Sequence, residues 1–268
     1  MVESNQTFEK KGYVFMKVFV MNKKRIIFAL CLIIVIAAAV IGIIYCESSQ
    51  TMKSTNSLPI YSVQTGKKQI AISFDAAWGN EDTEKLIEIL DKYKVKATFF
   101  LVGSWVDNYP DSVKQLAGAG HSIQNHSNTH PYLTQISTDT VKSEITECNK
   151  KIEALTGKSP TLIRPPYGDY NADVIASIES LNMFPIQWSV DSLDWKGISA
   201  DEIYNNVVPK AKAGDIVLFH NAAEHTPEAL PRIIEDLQKD GFELVLIEEL
   251  IYKDNYMIDV NGTQVSKF

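Results

Sequence analysis

Residues 69–79, QIAISFDAAWG, decide how this chain is read. Ile70, Ile72 and Phe74 alternate with smaller or polar residues, which is the period of a β-strand. The run then turns polar and small at Asp75. A buried strand that stops there carries a carboxylate at its tip, and Ala76 follows it. Whether Asp75 is a working group or an ordinary loop acid depends on what the rest of the chain brings to the same place.

Outward from this strand, segments that read as strands recur at 95–102, 121–126, 161–166, 184–190, 214–220 and 242–247. Between them lie segments with helical spacing at 82–93, 109–120, 137–157, 171–181, 199–211 and 226–241. The helix at 137–157 opens on a Ser/Thr/Asp cap and stops at Gly157. About seven strands alternating with helices predict a parallel sheet, open or closed into a barrel. The C-terminal ends of these strands carry Asp75, His126, Arg164, Asp191 with Asp194, and His220. Sites in parallel α/β folds are built at that edge. One carboxylate at a strand tip means little, but five strands delivering catalytic residue types to one edge are hard to obtain by chance.

The N-terminal part is of another kind. Residues 26–46 contain no charge and are long enough for a bilayer core, which needs about 20 residues. Asn22-Lys23-Lys24-Arg25 precede them, and positive charge stays cytoplasmic. The expectation is a basic cytoplasmic tail (1–25), one transmembrane helix (26–46), a polar linker (47–66), an extracytoplasmic domain (67–252) and a C-terminal tail (253–268). The protein is then a single-pass cell-membrane protein. A cleaved signal peptide is the rival reading, although its apolar region is usually shorter. Met21 is a second candidate start.

Residues 1–25 hold six Lys/Arg and two Asp/Glu, a net +4, so with an overall charge of −7 the residues after the neutral segment carry −11. That balance argues against nucleic acid as a partner. Cys148 is the only cysteine outside 26–46, so the exported domain relies on its core rather than on an internal disulfide.

Four motifs carry chemistry. NHSNTH (125–130) spaces His126 and His130 four apart, with Pro131 next; two neutral imidazoles on a turn suit zinc, and also cobalt or nickel. His121 opens its strand and reads as structural. RPPYG (164–168) holds one of only three arginines in the chain; a guanidinium at a strand end can orient Asp75 and keep it ionised. DSLDW (191–195) sets carboxylates beside an indole, and IVLFH (216–220) ends on His220, a candidate general acid. There is no G-x-S-x-G elbow and Cys148 falls within a helix, so the nucleophile is expected to be water.

Together these residues resemble the polysaccharide deacetylases of carbohydrate esterase family four, over about residues 69–250. In that family the first motif is a strand ending F-D-D. Asp75 matches the base, while Ala76 stands where the second aspartate ligates metal. His126, Ser127 and His130 match the H-S/T-x-x-H metal motif. Arg164, Pro166, Tyr167 and Gly168 match R-x-P-Y/F-G, which implies that Arg164 orients Asp75 and that the Tyr167 backbone N–H helps hold an oxyanion. Asp194 and Trp195 match the fourth motif, in which the aspartate tunes a histidine and the indole lines the groove. Leu218 and His220 match the fifth, the acid. An FD followed by small residues and WG resembles the sporulation-associated, membrane-anchored branch.

The resemblance implies a deformed (β/α) barrel with fewer than eight repeats, and a divalent metal, zinc foremost. It also implies removal of N-acetyl groups from a cell-wall amino-sugar glycan. The rival reading is a silent glycan- or protein-binding member of the same fold, because of Ala76; an O-acetyl esterase would use the same site. Asn80, Glu81 and Asp82 lie just beyond the strand as possible replacement oxygens, as does Asp75 itself.

Overall fold

The computed structural model describes residues 58–267. The segments assigned above to a tail, a membrane span and most of a linker lie outside them. Among the described residues no helix is long and apolar enough to cross a membrane.

Strand β1 is Ser62–Val63, and β2, Gln69–Ala76, is the strand from which the reading began. There follow β3 (Thr98–Leu101), β4 (Ser122–Asn125), β5 (Leu162–Ile163), β6 (Phe184–Pro185), β7 (Val190–Asp191), β8 (Ile216–His220) and β9 (Glu243–Leu244). Seven of these form one ladder in the order β6-β5-β4-β3-β2-β8-β7, with β9 added to the lower part of β2. Every pairing in it is parallel. Helices Thr83–Lys92, Pro110–Gly118, Thr138–Thr156, Ala172–Ser180, Ala200–Val207 and Thr226–Lys239 alternate with the strands, as the sequence predicts. The result is a curled, deformed (β/α) barrel whose two end strands, β6 and β7, do not pair with each other.

Strand alternation divides β2 between two environments. Ile70, Ile72, Phe74 and Ala76 face an apolar layer shared with the buried faces of the helices. Ala71 lies in a second cluster with Phe100 and Ile216, and Ser73 and Asp75 turn to the same inner side, where Arg164 meets both. Phe74 stacks on Phe99 at 4.8 Å and on Phe219 at 5.5 Å, which ties the three central strands together just beneath their tips.

The structure departs from the sequence reading in three places. The run 184–190, read as one strand, is two. Ile186 bridges to Ile60 and Gln187 N–H donates to the Ile60 carbonyl, while Ser189 N–H donates to Ile216, so the backbone changes partners midway. Residues at both margins also belong to the domain. β1 pairs with β11 (Thr263–Ser266), which pairs with β10 (Tyr256–Ile258) in a three-stranded sheet, so residues 58–66 and the C-terminal segment are more than linker and tail. The helix Gly103–Asn108 was not read at all. Its first residues donate to the Ser127 and Asn128 carbonyls, and a Cβ on Gly103 would collide with Asn128, so only glycine allows this approach.

Candidate active site

Asp75 and His220 are register partners on β2 and β8, and His126 follows β4 directly. The sheet thus delivers these side chains to one end of the barrel. With His130, Tyr167, Asp191 and Trp195 they line a cleft of about 390 Å³.

Arg164 is wholly buried. Its Nη1 donates to Asp75 Oδ1 at 2.7 Å, and its Nη2 to Ser73 Oγ at 2.9 Å and the Gln187 carbonyl at 3.1 Å. The guanidinium lies 4.2 Å from the centre of the Phe100 ring, a cation–π contact. Such a charge is tolerated only when paired and hydrogen-bonded. Burial pushes the Asp75 pKa up, but Arg164, His126 and His220 outweigh it and hold the carboxyl below its ordinary value. Asp75 is therefore an anion at neutral pH, with Oδ2 still facing the cleft side, 3.5 Å from His126 Nε2.

The segment NHSNTH is a turn rather than a helix, as its proline suggests. Ser127 and His130 both have positive φ, 65° and 62°. The buried Asn125 holds the turn by accepting from Ser127 N–H at 2.7 Å, and Glu144 accepts from the Asn128 and Thr129 N–H groups at 2.9 and 2.7 Å. His126 Nδ1 stands 2.7 Å from the Arg164 carbonyl. A carbonyl only accepts, so Nδ1 carries the proton and Nε2 presents a lone pair. Burial lowers the pKa of His126, and burial with the neighbouring His126 lowers that of His130 to about 4. Both rings are neutral at physiological pH.

His126 Nε2 and His130 Nε2 are 3.2 Å apart. Two nitrogens bound tetrahedrally to one zinc at about 2.0–2.1 Å would lie about 3.3 Å apart. The donor type, tautomer and spacing therefore fit a divalent metal, and the Arg164 carbonyl supplies the outer hydrogen bond that orients a ligating imidazole. A third ligand is another matter. Among the described residues no group of three His, Cys, Asp or Glu side chains forms a ready metal set. Ala76 is buried on the opposite face of β2 from Asp75. Asn80 donates to Ser112 Oγ, Asp82 accepts from Ala222 N–H, and Glu81 lines a neighbouring depression. None of the three lines the cleft, whereas Asp75 Oδ2 lies 3.5 Å from His126 Nε2.

Asp194 is buried and fully engaged. Oδ1 lies 2.8 Å from His220 Nδ1, and Oδ2 accepts from His220 N–H and Thr226 Oγ, each at 2.8 Å. Burial pushes the His220 pKa down, but the hydrogen bond and charge of Asp194 prevail and raise it. His220 Nδ1–H is thus fixed on Asp194, and Nε2 remains for substrate. Tyr167 has a positive φ of 59°, and its ring, like that of Trp195, is largely exposed at the cleft mouth.

Asp75, His126, His130, Arg164, Tyr167, Asp194, Trp195 and His220 are brought into this one region, and Asn80, Glu81 and Asp82 are not. The sequence had placed Asp191 at the edge without a role, and it lines the cleft with Oδ1 accepting from Leu193 N–H at 2.8 Å. Sequence reasoning missed Ser73, Asn125, Glu144 and Thr226, which position the others. His121 is structural, as read: its Nδ1 accepts from Ala97 N–H at 3.2 Å. The Cys148 thiol is buried and its pKa pushed up to about 12, so it is no nucleophile.

An Asp75–Arg164 pair and an Asp194–His220 pair at the strand tips of a (β/α) barrel, beside two converging imidazoles, make a candidate hydrolase site. A family model described as polysaccharide deacetylase matches residues 62–186. The chain is 34% identical over 194 residues to the peptidoglycan-N-acetylglucosamine deacetylase of Bacillus cereus, covering 71% of this chain and 70% of that one. It is 33% identical over 198 residues to the peptidoglycan-N-acetylmuramic acid deacetylase PdaA of Bacillus subtilis, covering 72% and 75%. Among solved structures, a CE4 family pseudoenzyme from Bacillus anthracis matches with a TM-score of 0.71 and 34% identity over 78% of this chain and 73% of that one. A mutant of that pseudoenzyme with restored enzymatic activity matches with a TM-score of 0.71 and 36% identity, over 74% and 72%. This chain belongs to the polysaccharide deacetylase family, carbohydrate esterase family four.

Proposed function

We propose that the protein is a metal-dependent deacetylase that removes N-acetyl groups from an amino-sugar glycan of the cell wall. The observation that carries this reading is the paired machinery: an ionised Asp75 locked by Arg164, and a His220 locked by Asp194, on adjacent strands of one cleft. A module that only binds glycan has no need of an oriented base and an oriented acid.

His126 and His130 would hold the metal. When bound, a divalent ion supplies Lewis-acid polarisation of the acetyl carbonyl and eases deprotonation of water. Asp75 Oδ2 accepts the proton of the attacking water, while Arg164 keeps Oδ1 occupied and the carboxylate oriented. The Tyr167 N–H donates to the developing oxyanion. His220 Nε2–H donates its proton to the leaving nitrogen, and Asp194 supports the charged ring until it does so. Trp195 and Tyr167 wall the sugar. The amine leaves with the glycan, and acetate is the second product.

The silent-member reading keeps one specific observation in its favour. Ala76 offers no carboxylate, and a solved relative of similar fold is a pseudoenzyme. If Asp75 Oδ2 turns to the metal, it is lost as base, and catalysis weakens. Acetate release from peptidoglycan, measured with and without added zinc, separates the two readings.

The proposal extends to location. Residues 26–46 anchor the protein in the cell membrane, with the barrel outside, where cell-wall glycan is the substrate and nucleic acid is no partner. The relatives with peptidoglycan activity support this placement, and the sequence likeness to the anchored, sporulation-associated branch supports a role in spore formation.

A further inference from the structure

The turn that carries His126 and His130 is held almost entirely by side chains. The N–H groups of Ser127, Asn128, Thr129 and His130 donate in order to Asn125 Oδ1 at 2.7 Å, to Glu144 Oε2 at 2.9 and 2.7 Å, and to Ser127 Oγ at 3.0 Å. The Thr129 hydroxyl makes a fifth donation, to Glu144 Oε1 at 2.8 Å. Glu144 thus accepts three of the five. Of these acceptors it alone comes from outside the turn and the strand leading into it. As a carboxylate it also makes stronger bonds to N–H donors than a neutral acceptor does.

The turn needs such an anchor. Ser127 and His130 both lie in the left-handed region, which residues other than glycine seldom adopt. The helix that supplies Glu144, Thr138–Thr156, is itself tied to β4, because Asn125 Nδ2 donates to the Ile145 carbonyl at 2.9 Å and to Asn149 Oδ1 at 2.7 Å. On the other side, the Ser127 and Asn128 carbonyls accept from Gly103 and Ser104 N–H, each at 2.9 Å. His126 is placed by β4 and by the Arg164 carbonyl at its Nδ1. His130 stands at the far end of the turn, so its Nε2 meets His126 Nε2 only while residues 128 and 129 keep their course.

The geometry points to Glu144 as a positioning residue for the metal site: by fixing residues 128 and 129 from a neighbouring helix, it holds His130 Nε2 opposite His126 Nε2 in the metal-free protein. This rests on the reading that His126 and His130 hold a divalent ion. A ligand already in place loses little freedom on binding, so less of the binding free energy is spent on ordering it. The effect weighs more here than in a site with a third, anionic ligand, because two neutral imidazoles supply fewer bonds and no charge.

The test is calorimetric titration of the metal-free full chain with zinc and with copper(II), which binds a given nitrogen site more tightly than zinc. His126→Ala is the blank for binding elsewhere. Glu144→Gln keeps the reach of the side chain: its oxygen can accept from both N–H groups, and its amide can donate to the Thr129 hydroxyl. Glu144→Asp keeps the charge and shortens the reach by one methylene. Glu144→Gln should bind nearly as tightly as wild type. Glu144→Asp and Glu144→Ala should bind roughly 10-fold or more weakly, the size of effect seen when a group that orients a metal ligand is lost. Urea midpoints are read alongside, and a role confined to the fold would shift them while leaving the metal constants equal. If Glu144→Ala does not fold, the order of Glu144→Gln and Glu144→Asp decides. Equal affinity in all folded variants, or tighter binding by Glu144→Asp than by Glu144→Gln, overturns the proposal and leaves the metal reading standing. Wild type that binds neither ion better than His126→Ala overturns the metal reading, and the proposal with it.

Discussion

Asp75 and His220 stand side by side in register across the parallel β2–β8 ladder, at a strand spacing of about 4.8 Å. The backbone of the sheet, rather than a loop, therefore sets the separation of the proposed base and acid. Each is then fixed by one buried partner, Arg164 for Asp75 and Asp194 for His220. Asp75→Asn and His220→Ala should each lower the rate of acetate release by about 100-fold or more, since acid and base groups contribute roughly 10²–10⁴. Initial rates on peptidoglycan check this, and wild-type rates in both variants would refute the assignment.

Arg164 has a structural role as well as a chemical one. Arg164→Ala leaves Asp75 buried without its counter-charge, and breaking such a pair from one side costs about 3–5 kcal/mol. The variant should therefore lose both activity and stability. Arg164→Lys should recover only part of either, because an ammonium cannot reproduce the three donations to Asp75, Ser73 and Gln187 in the planar geometry of a guanidinium. Urea denaturation alongside the rate assay reads both effects. Full stability in Arg164→Ala would mean that Asp75 is neutral in the fold.

The strand plan and the catalytic edge were legible because each rests on a local signal. Alternation with Ile70, Ile72 and Phe74 marks β2, and Asp75, His126, Arg164 and His220 each follow or end a segment that reads as a strand. The positioning residues were not legible. Glu144 on a solvent-facing helix reads as any surface acid, although it carries the NHSNTH turn. Asn125 and Thr226 act through bonds to side chains and backbone distant in sequence or defined only by the turn. The break between β6 and β7 carries no turn residue, since Ile186-Gln187-Trp188-Ser189 holds no glycine, asparagine or aspartate while the partners change from Ile60 to Ile216. The short helix at Gly103 is too brief for periodicity to show.

Position 76 gives a prediction that joins metal to stability. Two neutral imidazoles hold a divalent ion without the charge of a carboxylate, so wild-type zinc binding should be weak or substoichiometric. Ala76 is buried in the outer apolar layer at the end of β2. Ala76→Asp therefore buries a carboxylate there in the metal-free protein and should lower Tm, at a cost of a few kcal/mol. Added zinc should restore it, because binding draws the new carboxylate at the strand end out of that layer toward His126 and His130, and an ion bound only by the native state stabilises in proportion to the logarithm of its excess over Kd. Calorimetry should show tighter zinc in the variant. If wild type already binds one zinc tightly and Ala76→Asp binds no better, another ligand completes the site.

His121 gives a pH dependence separate from the active site. It is buried at the start of β4, where desolvation, then the charge of Lys96, lower its pKa to about 4. The folded state thus resists a proton that the unfolded chain accepts near 6.5. The stability this confers is complete above about pH 6.5 and falls as pH drops toward 4, by at most about 3 kcal/mol. Denaturation midpoints of wild type and His121→Gln across that window should converge as the pH is lowered. A constant difference would show that His121 does not titrate between these limits.

The proposed anchor is tested on cells. Protease added to intact protoplasts should digest the domain that follows Cys46 and leave residues 1–25 protected. Complete protection of the domain would reverse the orientation.

The central claim is that the paired Asp75 and His220 machinery, with metal on His126 and His130, deacetylates cell-wall glycan. Acetate released from purified peptidoglycan, followed over a zinc titration in wild type and Asp75→Asn, tests it most directly. The account predicts slow release in wild type that rises with zinc, stops with chelator and is lost in Asp75→Asn. Bound glycan with no acetate at any zinc concentration would contradict it and leave a silent glycan-binding member of the family.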